Sequence, residues 1–173
     1  MTKSYNILCT GNPKKKTVAY ALGCDYASLS SGWDFTDPIT LERFRATILN
    51  YNVFVNSSYI TSGVQLTLMN IVYQEWMREN IKGHIITIGT TLEYSNDKSE
   101  YANNKRALKQ RSLELNDQTG ISGVKSTYLI LGGINNGELK NSDYVMTDHI
   151  ASSILWVLSQ DYRIPLLQLE GIK

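Results

Sequence analysis

Short hydrophobic runs alternate along the chain with longer segments in which hydrophobic positions recur every three or four residues. Continuous apolar runs are typical of strands that are covered on both faces, and the longer period is typical of amphipathic helices. Seven strands are predicted, at Tyr5–Thr10, Asp25–Leu29, Gly32–Asp34, Asn52–Asn56, His84–Gly89, Val124–Leu131 and Pro165–Leu169. Five helices are predicted, at Lys14–Leu22, Pro38–Leu49, Thr61–Asn80, Glu100–Asn116 and Thr147–Gln160.

Residues that favour helix starts support several of these boundaries. Asp37 directly precedes Pro38, which is the order expected of an N-cap and the first helical residue. Ser99 and Thr147 are placed to cap the last two helices. Alternating strands and helices predict one α/β domain over residues 1–173, with a Rossmann-like doubly wound parallel sheet of about seven strands in a three-layer α/β/α arrangement. The segment 22–34 is too short for a helix, so one crossover helix is predicted to be missing.

Net charge, hydrophobicity, and cysteine and histidine content argue against nucleic acid, membrane or metal as a ligand of the chain. The 17 basic and 16 acidic residues give a net charge of +1, which argues against nucleic acid or an anionic membrane as the partner. No apolar run approaches the roughly 18–20 residues that span a bilayer, and the N-terminal segment resembles no signal peptide, so a cytoplasmic protein is expected. The two cysteines form no disulfide framework or metal-binding pattern, and the two histidines lie far apart along the chain, so no metal site is predicted.

The loop after the first strand is the first candidate site. Thr10, Gly11 and Asn12 end the strand, and Lys14, Lys15 and Lys16 lead into a helix. A turn of this kind can place backbone N–H groups beside a phosphate, and the lysines add positive charge. A dinucleotide turn has three glycines, however, and this one has a single glycine. The loop is therefore either a phosphate-binding turn or a solvated, basic helix start.

Tyr101 and Lys105 are four residues apart on a predicted helix and therefore share a face. A nearby ammonium favours the phenolate form, which makes tyrosine able to exchange a proton near neutral pH. The same spacing separates Tyr94 from Lys98, within a segment that indicates a turn. From spacing alone, Tyr101 and Lys105 are either a catalytic pair or a surface aromatic–cation pair.

Two further strand ends carry small residues. Asn56, Ser57 and Ser58 follow one apolar strand, and Gly132 and Gly133 follow another. Ligands of doubly wound sheets bind at the carboxyl ends of strands, where small residues allow close approach to the backbone. Each segment is equally compatible with a plain turn after a strand.

In this order, the four segments resemble the short-chain dehydrogenase/reductase family over nearly the whole chain, from Asn6 to Gly171. The most specific part is Ile88-Gly89-Thr90 followed by Tyr101-x-x-x-Lys105. The resemblance implies an NAD(P)-binding Rossmann-fold domain. It also implies an oxidoreductase of the carbonyl reductase or alcohol dehydrogenase type, acting on a small carbonyl or alcohol substrate.

The resemblance also implies roles for individual residues. Tyr101 is the general acid/base, Lys105 holds the nicotinamide ribose and lowers the pKa of the tyrosine, and Thr90 replaces the family's catalytic serine. The implied cofactor-binding residues are Thr10, Gly11, Asn12, Lys14, Lys15, Asp34, Phe35, Asn56, Ser57, Ser58, Gly132 and Ile134. The lysines favour NADP(H) over NAD(H), since a basic group there can pair with the 2′-phosphate.

The chain departs from the family pattern at several positions. Lys15 and Thr17 stand at the second and third glycine positions, and the family's proton-relay asparagine has no clear match, Ser62 being the nearest by spacing. The departures leave an alternative, a catalytically weak or inactive reductase-like nucleotide-binding or scaffold protein. The family's pairing of helices across a two-fold axis implies a homodimer or homotetramer, with Trp76 and Met77 as interface candidates.

Overall fold

The computed structural model of the chain describes residues 4–14, 17–58, 61, 63–94, 96, 98–132, 134–135 and 145–170. Eight strands occur within them: β1 (Ile7–Thr10), β2 (Asp25–Ala27), β3 (Val53–Asn56), β4 (His84–Thr90), β5 (Lys125–Leu131), β6 (Ile134–Asn135), β7 (Val145–Met146) and β8 (Leu166–Leu169). Six α-helices occur in the same residues: α1 (Val18–Leu22), α2 (Pro38–Ile48), α3 (Val64–Arg78), α4 (Glu100–Asp117), α5 (Thr119–Ser122) and α6 (Thr147–Ser159).

A single parallel sheet organises the molecule. Its strand order is β2-β1-β3-β4-β5-β8, and the two-residue strands β6 and β7 pair separately. Helices α2, α3 and α4 cover one face of the sheet, and α1 and α6 cover the other. The predicted Rossmann-like, three-layer α/β/α fold is therefore confirmed. The strand order reverses between β1 and β3, and ligands of such sheets bind at this switch point.

The main sheet has six strands in the described residues, because the predicted strand Gly32–Asp34 is wrong. Gly32 adopts a left-handed φ of +81° and closes a 3-10 turn. The next residues pack against α2 instead of extending along the sheet. The ring centroids of Trp33 and Phe35 lie 6.2 and 5.3 Å from that of Phe44. The outer strand and the crossover helix that would lead to it are thus missing together.

Two of the three predicted helix caps are confirmed. The Asp37 carboxylate accepts hydrogen bonds from the second and third residues of α2, and the Ser99 hydroxyl accepts one from the Ala102 N–H in α4. The Thr147 cap is wrong. Thr147 is the first residue of α6, and the preceding Met146 occupies the cap position with no side-chain hydrogen bond.

Two hydrophobic cores flank the sheet. Trp76 on α3 is fully buried in the core on the α2–α4 face, and its indole N–H donates to the Ile48 carbonyl at 3.1 Å. The expectation that Trp76 lies at a subunit interface is therefore wrong, whereas the adjacent Met77 is 43% exposed. Of the described helices, none combines the length and apolar character needed to cross a bilayer.

The glycine in β4 is required for the packing of β5. A Cβ atom at Gly89 would lie 2.3–2.4 Å from ring atoms and the hydroxyl of Tyr128, which is fully buried. Contacts this short are forbidden by sterics, and a close-packed core has little room to move the ring. Gly89 therefore allows the Tyr128 ring to lie across β4 and reach α4.

We expect Gly89→Ala to lower the free energy of unfolding by about 1–3 kcal/mol, because the added methyl overpacks the core. The matched control is Gly120→Ala in α5. In the described part of the chain, no atom beyond the helix itself and the neighbouring residues lies within 4 Å of the methyl carbon that alanine would add there. That change should be neutral or raise stability by up to about 1 kcal/mol. Urea unfolding followed by circular dichroism measures both; equal stabilities of the two variants would contradict the packing interpretation.

Candidate active site

The ends of β1 and β3 are held together by the side chain of Thr10. The Thr10 hydroxyl is buried and accepts hydrogen bonds from the backbone N–H groups of Ser57 and Ser58, at 2.9 and 3.2 Å. It also lies 3.4 Å from the Val55 carbonyl, to which it donates. Thr10 is thus a structural link that brings the predicted phosphate loop and the predicted Asn56–Ser58 segment to one edge of the sheet.

Gly11 allows this edge to be compact. Its φ is +138°, and a Cβ atom there would lie 2.9 Å from the Ser58 hydroxyl oxygen. A side chain would therefore be both strained and crowded. A cavity of about 450 Å³ opens beside it, lined by residues from both sides of the switch point: Gly11, Asn12, Ala27, Ser28, Leu29, Trp33, Asp34, Phe35, Thr36, Ser58 and Thr61.

Five of the predicted cofactor residues line this cavity. Asp34 is exposed, and its carboxylate accepts hydrogen bonds from the N–H and hydroxyl of Thr36, which hold the pKa of Asp34 below its ordinary value. Phe35 also lines the cavity, and its ring is buried in the aromatic group against α2. Lys14 is exposed in the loop before α1, and the predicted Lys15 lies outside the described residues.

In the described residues, the loop between Gly11 and α1 is linked by the side chain of Thr17. The predicted helix start at Lys14 is too early, because α1 has only five residues and begins at Val18. Thr17, at the family's third glycine position, is the N-cap of α1 and accepts a hydrogen bond from the Tyr20 N–H. Its hydroxyl also donates to the Asn12 carbonyl at 2.8 Å. Thr17 thus closes the loop by side-chain hydrogen bonds where the family uses glycine.

Lys105 lies at the carboxyl end of β4, under α3. Its side chain is almost wholly buried, and its ammonium donates to the Gln65 side-chain oxygen at 2.8 Å and to the Ile88 carbonyl at 2.9 Å. Burial lowers the pKa of Lys105 to about 8, and the negative charge of Glu93 opposes this shift. Lys105 is therefore a desolvated cation at the carboxyl edge of the sheet, and the alternative of a surface pair is wrong.

Gln65 is a residue that the sequence interpretation missed. Its side-chain N–H donates to the Asn56 carbonyl at 3.1 Å, and the Asn56 side-chain N–H donates to the Gln65 carbonyl at 2.8 Å. This reciprocal pair joins the end of β3 to the first turn of α3 and aims the Gln65 oxygen at Lys105. Gln65 follows the cap of α3 closely in sequence, but its partner Lys105 is 40 residues away, so no local signal identifies it.

Tyr101 lies one helical turn before Lys105 in α4, and the Lys105 ammonium is 5.5 Å from the centroid of its ring. Thr90 ends β4, and its hydroxyl accepts a weak hydrogen bond from the Leu92 N–H at 3.4 Å. The rival pairing of Tyr94 with Lys98 is not seen, since Tyr94 contacts Lys109, whose ammonium lies 4.2 Å from its ring centroid. Tyr101 and Lys105 are thus the tyrosine–lysine pair at the strand ends.

The last two predicted cofactor residues follow β5. Gly132 donates its N–H to the Leu169 carbonyl at 3.0 Å, which extends the pairing of β5 with β8. Ile134 lies in β6, which pairs with β7 just before α6. Gly132 is consequently bound to the sheet by its backbone. The neighbouring Gly133, and Ser62 as the nearest match to the relay asparagine, lie outside the described residues.

No protein-family model matches the sequence, and no curated protein matches it. Solved structures do match. A short-chain dehydrogenase from Leptospira borgpetersenii with bound NAD+ has a TM-score of 0.74 at 13% identity, over 95% of this chain and 91% of that one. An alcohol dehydrogenase from the archaeon Thermococcus sibiricus, complexed with 5-hydroxy-NADP, has a TM-score of 0.73 at 13% identity, over 98% of this chain and 97% of that one.

A short-chain dehydrogenase from Sphingobium yanoikuyae in complex with NADPH has a TM-score of 0.69 at 14% identity, over 94% of this chain and 86% of that one. At these identities the likeness is one of fold. The chain has the Rossmann-like fold of the short-chain dehydrogenases, and at that level the resemblance predicted from its sequence is confirmed.

Proposed function

We propose that the protein is an NAD(P)(H)-dependent oxidoreductase of the short-chain dehydrogenase/reductase type, acting on a small carbonyl or alcohol substrate. The observation that carries this proposal is the buried Lys105 ammonium at the carboxyl end of β4, one helical turn from Tyr101. A desolvated lysine with a lowered pKa in such a place is typical of a functional site. Proteins of the same fold with bound NAD+, NADPH or 5-hydroxy-NADP support the choice of cofactor.

The residues at the switch point fit a dinucleotide. The cavity of about 450 Å³ beside Gly11 has the size of a small-molecule site, and it offers apolar walls from Leu29, Trp33 and Phe35 for a base. The hydrogen-bonded ends of β1 and β3, at Thr10 and Ser57, lie next to it. When bound, the nicotinamide supplies or accepts the hydride.

In carbonyl reduction, Tyr101 donates a proton to the substrate oxygen, and Lys105 stabilises the phenolate that develops. Two of the three Lys105 N–H groups are used by Gln65 and Ile88, which fixes the direction of the third; we assign that one to a ribose hydroxyl. The Thr90 hydroxyl orients the substrate oxygen. Proton transfer by a positioned side chain contributes roughly 10²–10⁴-fold to the rate.

NADP(H) is the proposed form of the cofactor. Rossmann-type sites that prefer NAD(H) place a carboxylate near the ribose hydroxyls. Here β2 ends at Ala27 and is followed by Ser28, and Asp25 starts the strand with its carboxylate bound to the Tyr51 hydroxyl at 2.9 Å. The lysines at 14–16 supply positive charge for a 2′-phosphate.

We expect NADPH to bind more tightly than NADH in isothermal titration calorimetry. The variant Lys14→Gln should weaken NADPH binding by about three- to tenfold, since it removes one charge near the phosphate, and should leave NADH binding unchanged. Tighter binding of NADH would contradict the assignment of NADP(H), and binding of neither nucleotide would contradict the proposed function.

We expect Tyr101→Phe to reduce the turnover of benzaldehyde or menadione with NADPH by at least about 100-fold, because the proton donor is lost. NADPH binding should be unchanged. The control is Tyr162→Phe, at an exposed tyrosine in the loop after α6. An unchanged rate in Tyr101→Phe would disprove the catalytic assignment, whichever substrate is used.

A second candidate function is a reductase-like protein that binds a nucleotide without turnover. The closure of the phosphate loop by Thr17 favours it, because added side-chain atoms occupy a place where backbone approaches phosphate. Tight NADPH binding without reduction of either probe is the result that distinguishes this candidate from the enzyme.

The buried charge of Lys105 predicts a pH dependence of stability. Its pKa is about 8 in the fold against 10.5 for an exposed lysine, so the folded state binds fewer protons than the unfolded state between these values. Stability relative to Lys105→Met should therefore be lowest below pH 8 and rise by about 3 kcal/mol towards pH 10.5. Urea unfolding of both proteins across this range measures the difference; a constant difference would contradict it.

A further inference from the structure

Glu93 is a buried carboxylate that the proposed chemistry does not use. It lies in the 3-10 turn Thr91–Tyr94 that follows β4, and its side chain is 1% exposed. One carboxylate oxygen is 2.9 Å from the Lys109 ammonium, and the other accepts a hydrogen bond from the Tyr128 hydroxyl at 2.8 Å. A buried carboxylate is costly unless it is paired in this way, so its presence here points to a role.

The contacts of Glu93 join the end of β4 to α4. Its backbone carbonyl accepts a hydrogen bond from the Arg106 guanidinium at 3.0 Å, and Lys109 is one turn after Lys105. The Tyr128 hydroxyl that donates to Glu93 is also 3.0 Å from the Lys105 carbonyl. The residue therefore ties the turn that begins directly after Thr90 to the part of α4 that carries Lys105.

The Tyr128 hydroxyl is the hydrogen-bond donor to Glu93 in this arrangement. Burial and the adjacent Glu93 carboxylate raise the pKa of Tyr128 above its ordinary value, so its hydroxyl is protonated at neutral pH. Its ring has room only because β4 has glycine at position 89. The hydroxyl is thus held between the carboxylate and the helix backbone.

We propose that Glu93 is a positioning residue for the Tyr101, Lys105 and Thr90 site, where it holds the turn after Thr90 against α4 and supports the positive charge of Lys105. This inference rests on the proposed function. Glu93 is not among the residues to which the family resemblance assigns a role. It is linked to the site by its ion pair with Lys109 and by hydrogen bonds with Tyr128 and Arg106.

The charged and titratable groups around Lys105 define what Glu93 contributes. The ammonium contacts two neutral acceptors, the Gln65 amide of α3 and the Ile88 carbonyl of β4, and the Tyr101 ring of α4. Tyr128 of β5 lies at the Lys105 carbonyl, and Arg106 and Lys109 of α4 bind Glu93. Burial lowers the pKa of Lys105, and the charge of Glu93 raises it. Without that charge, Lys105 loses its proton at a lower pH.

The test is Glu93→Gln, which keeps the side-chain size and an acceptor for Tyr128 but removes the charge. In NADPH-dependent reduction, the alkaline fall in kcat should move to lower pH by about one pH unit, with about fivefold less activity at pH 8 and little change in the KM for NADPH. A residue that only supports the fold would lower activity without moving the profile. The matched control is Glu114→Gln, at an exposed glutamate of α4 paired with Arg111, which should leave the profile in place.

A second measurement does not depend on activity. In protein labelled with carbon-13 lysine, the ε-carbon resonance of Lys105, assigned with Lys105→Arg, should titrate at lower pH in Glu93→Gln than in the wild type. An unchanged titration and an unchanged pH profile overturn the inference. If the Lys105 titration shifts but the protein reduces neither benzaldehyde nor menadione, the effect of Glu93 on Lys105 is supported and the proposed enzymatic function is rejected.

Glu93→Asp separates the two parts of the role. It restores the charge on a shorter side chain, so the pH profile should return towards that of the wild type while kcat stays low. If Glu93→Gln does not fold, Tyr128→Phe carries the positioning test, since it removes the hydroxyl that lies between Glu93 and the Lys105 carbonyl. Wild-type kcat in Tyr128→Phe would overturn the positioning role.

Discussion

The proposed site depends on the Lys105 ammonium, which is kept out of water. Lys105 is buried between α3, α4 and β4, and a cation in such a place needs partners whose positions do not change. The partners are an amide oxygen from Gln65 and a strand carbonyl from Ile88. Because both belong to rigid elements, the direction of the ammonium is set before any ligand arrives, as preorganised electrostatic stabilisation requires.

The partners of Lys105 are in turn held by a second group of buried hydrogen bonds. Asn56 and Gln65 exchange side-chain and backbone hydrogen bonds, which fixes the start of α3 relative to the end of β3. On the other side, Tyr128 and Glu93 fix the turn after β4 relative to α4. The polar network therefore flanks the lysine towards β3 and towards β5, and each member is oriented by another member rather than by solvent.

Much of the fold follows from sequence patterns that are local. Continuous apolar strands, helical periodicity and the Asp37 and Ser99 caps are each encoded within a few residues, so the α/β layers were predictable. The strand predicted at 32–34 does not form, because Gly32 adopts a left-handed conformation and the aromatic residues after it pack against α2. The sequence of this segment alone does not indicate that packing. Gln65 and Glu93 were not predicted for another reason, since their partners are 40 and 35 residues away in sequence and only tertiary packing brings them together.

The absence of the outer strand affects whether the sheet can pair with a sheet of another molecule. It leaves β2 as one border strand of the sheet, next to β1. A border strand exposes unpaired backbone groups to which another chain can add, and proteins limit this hazard with short or charged border strands. Here the border is three residues long and begins with an aspartate, and the chain then turns away at Gly32. At this border, the shortened architecture thus limits edge-to-edge pairing with other chains.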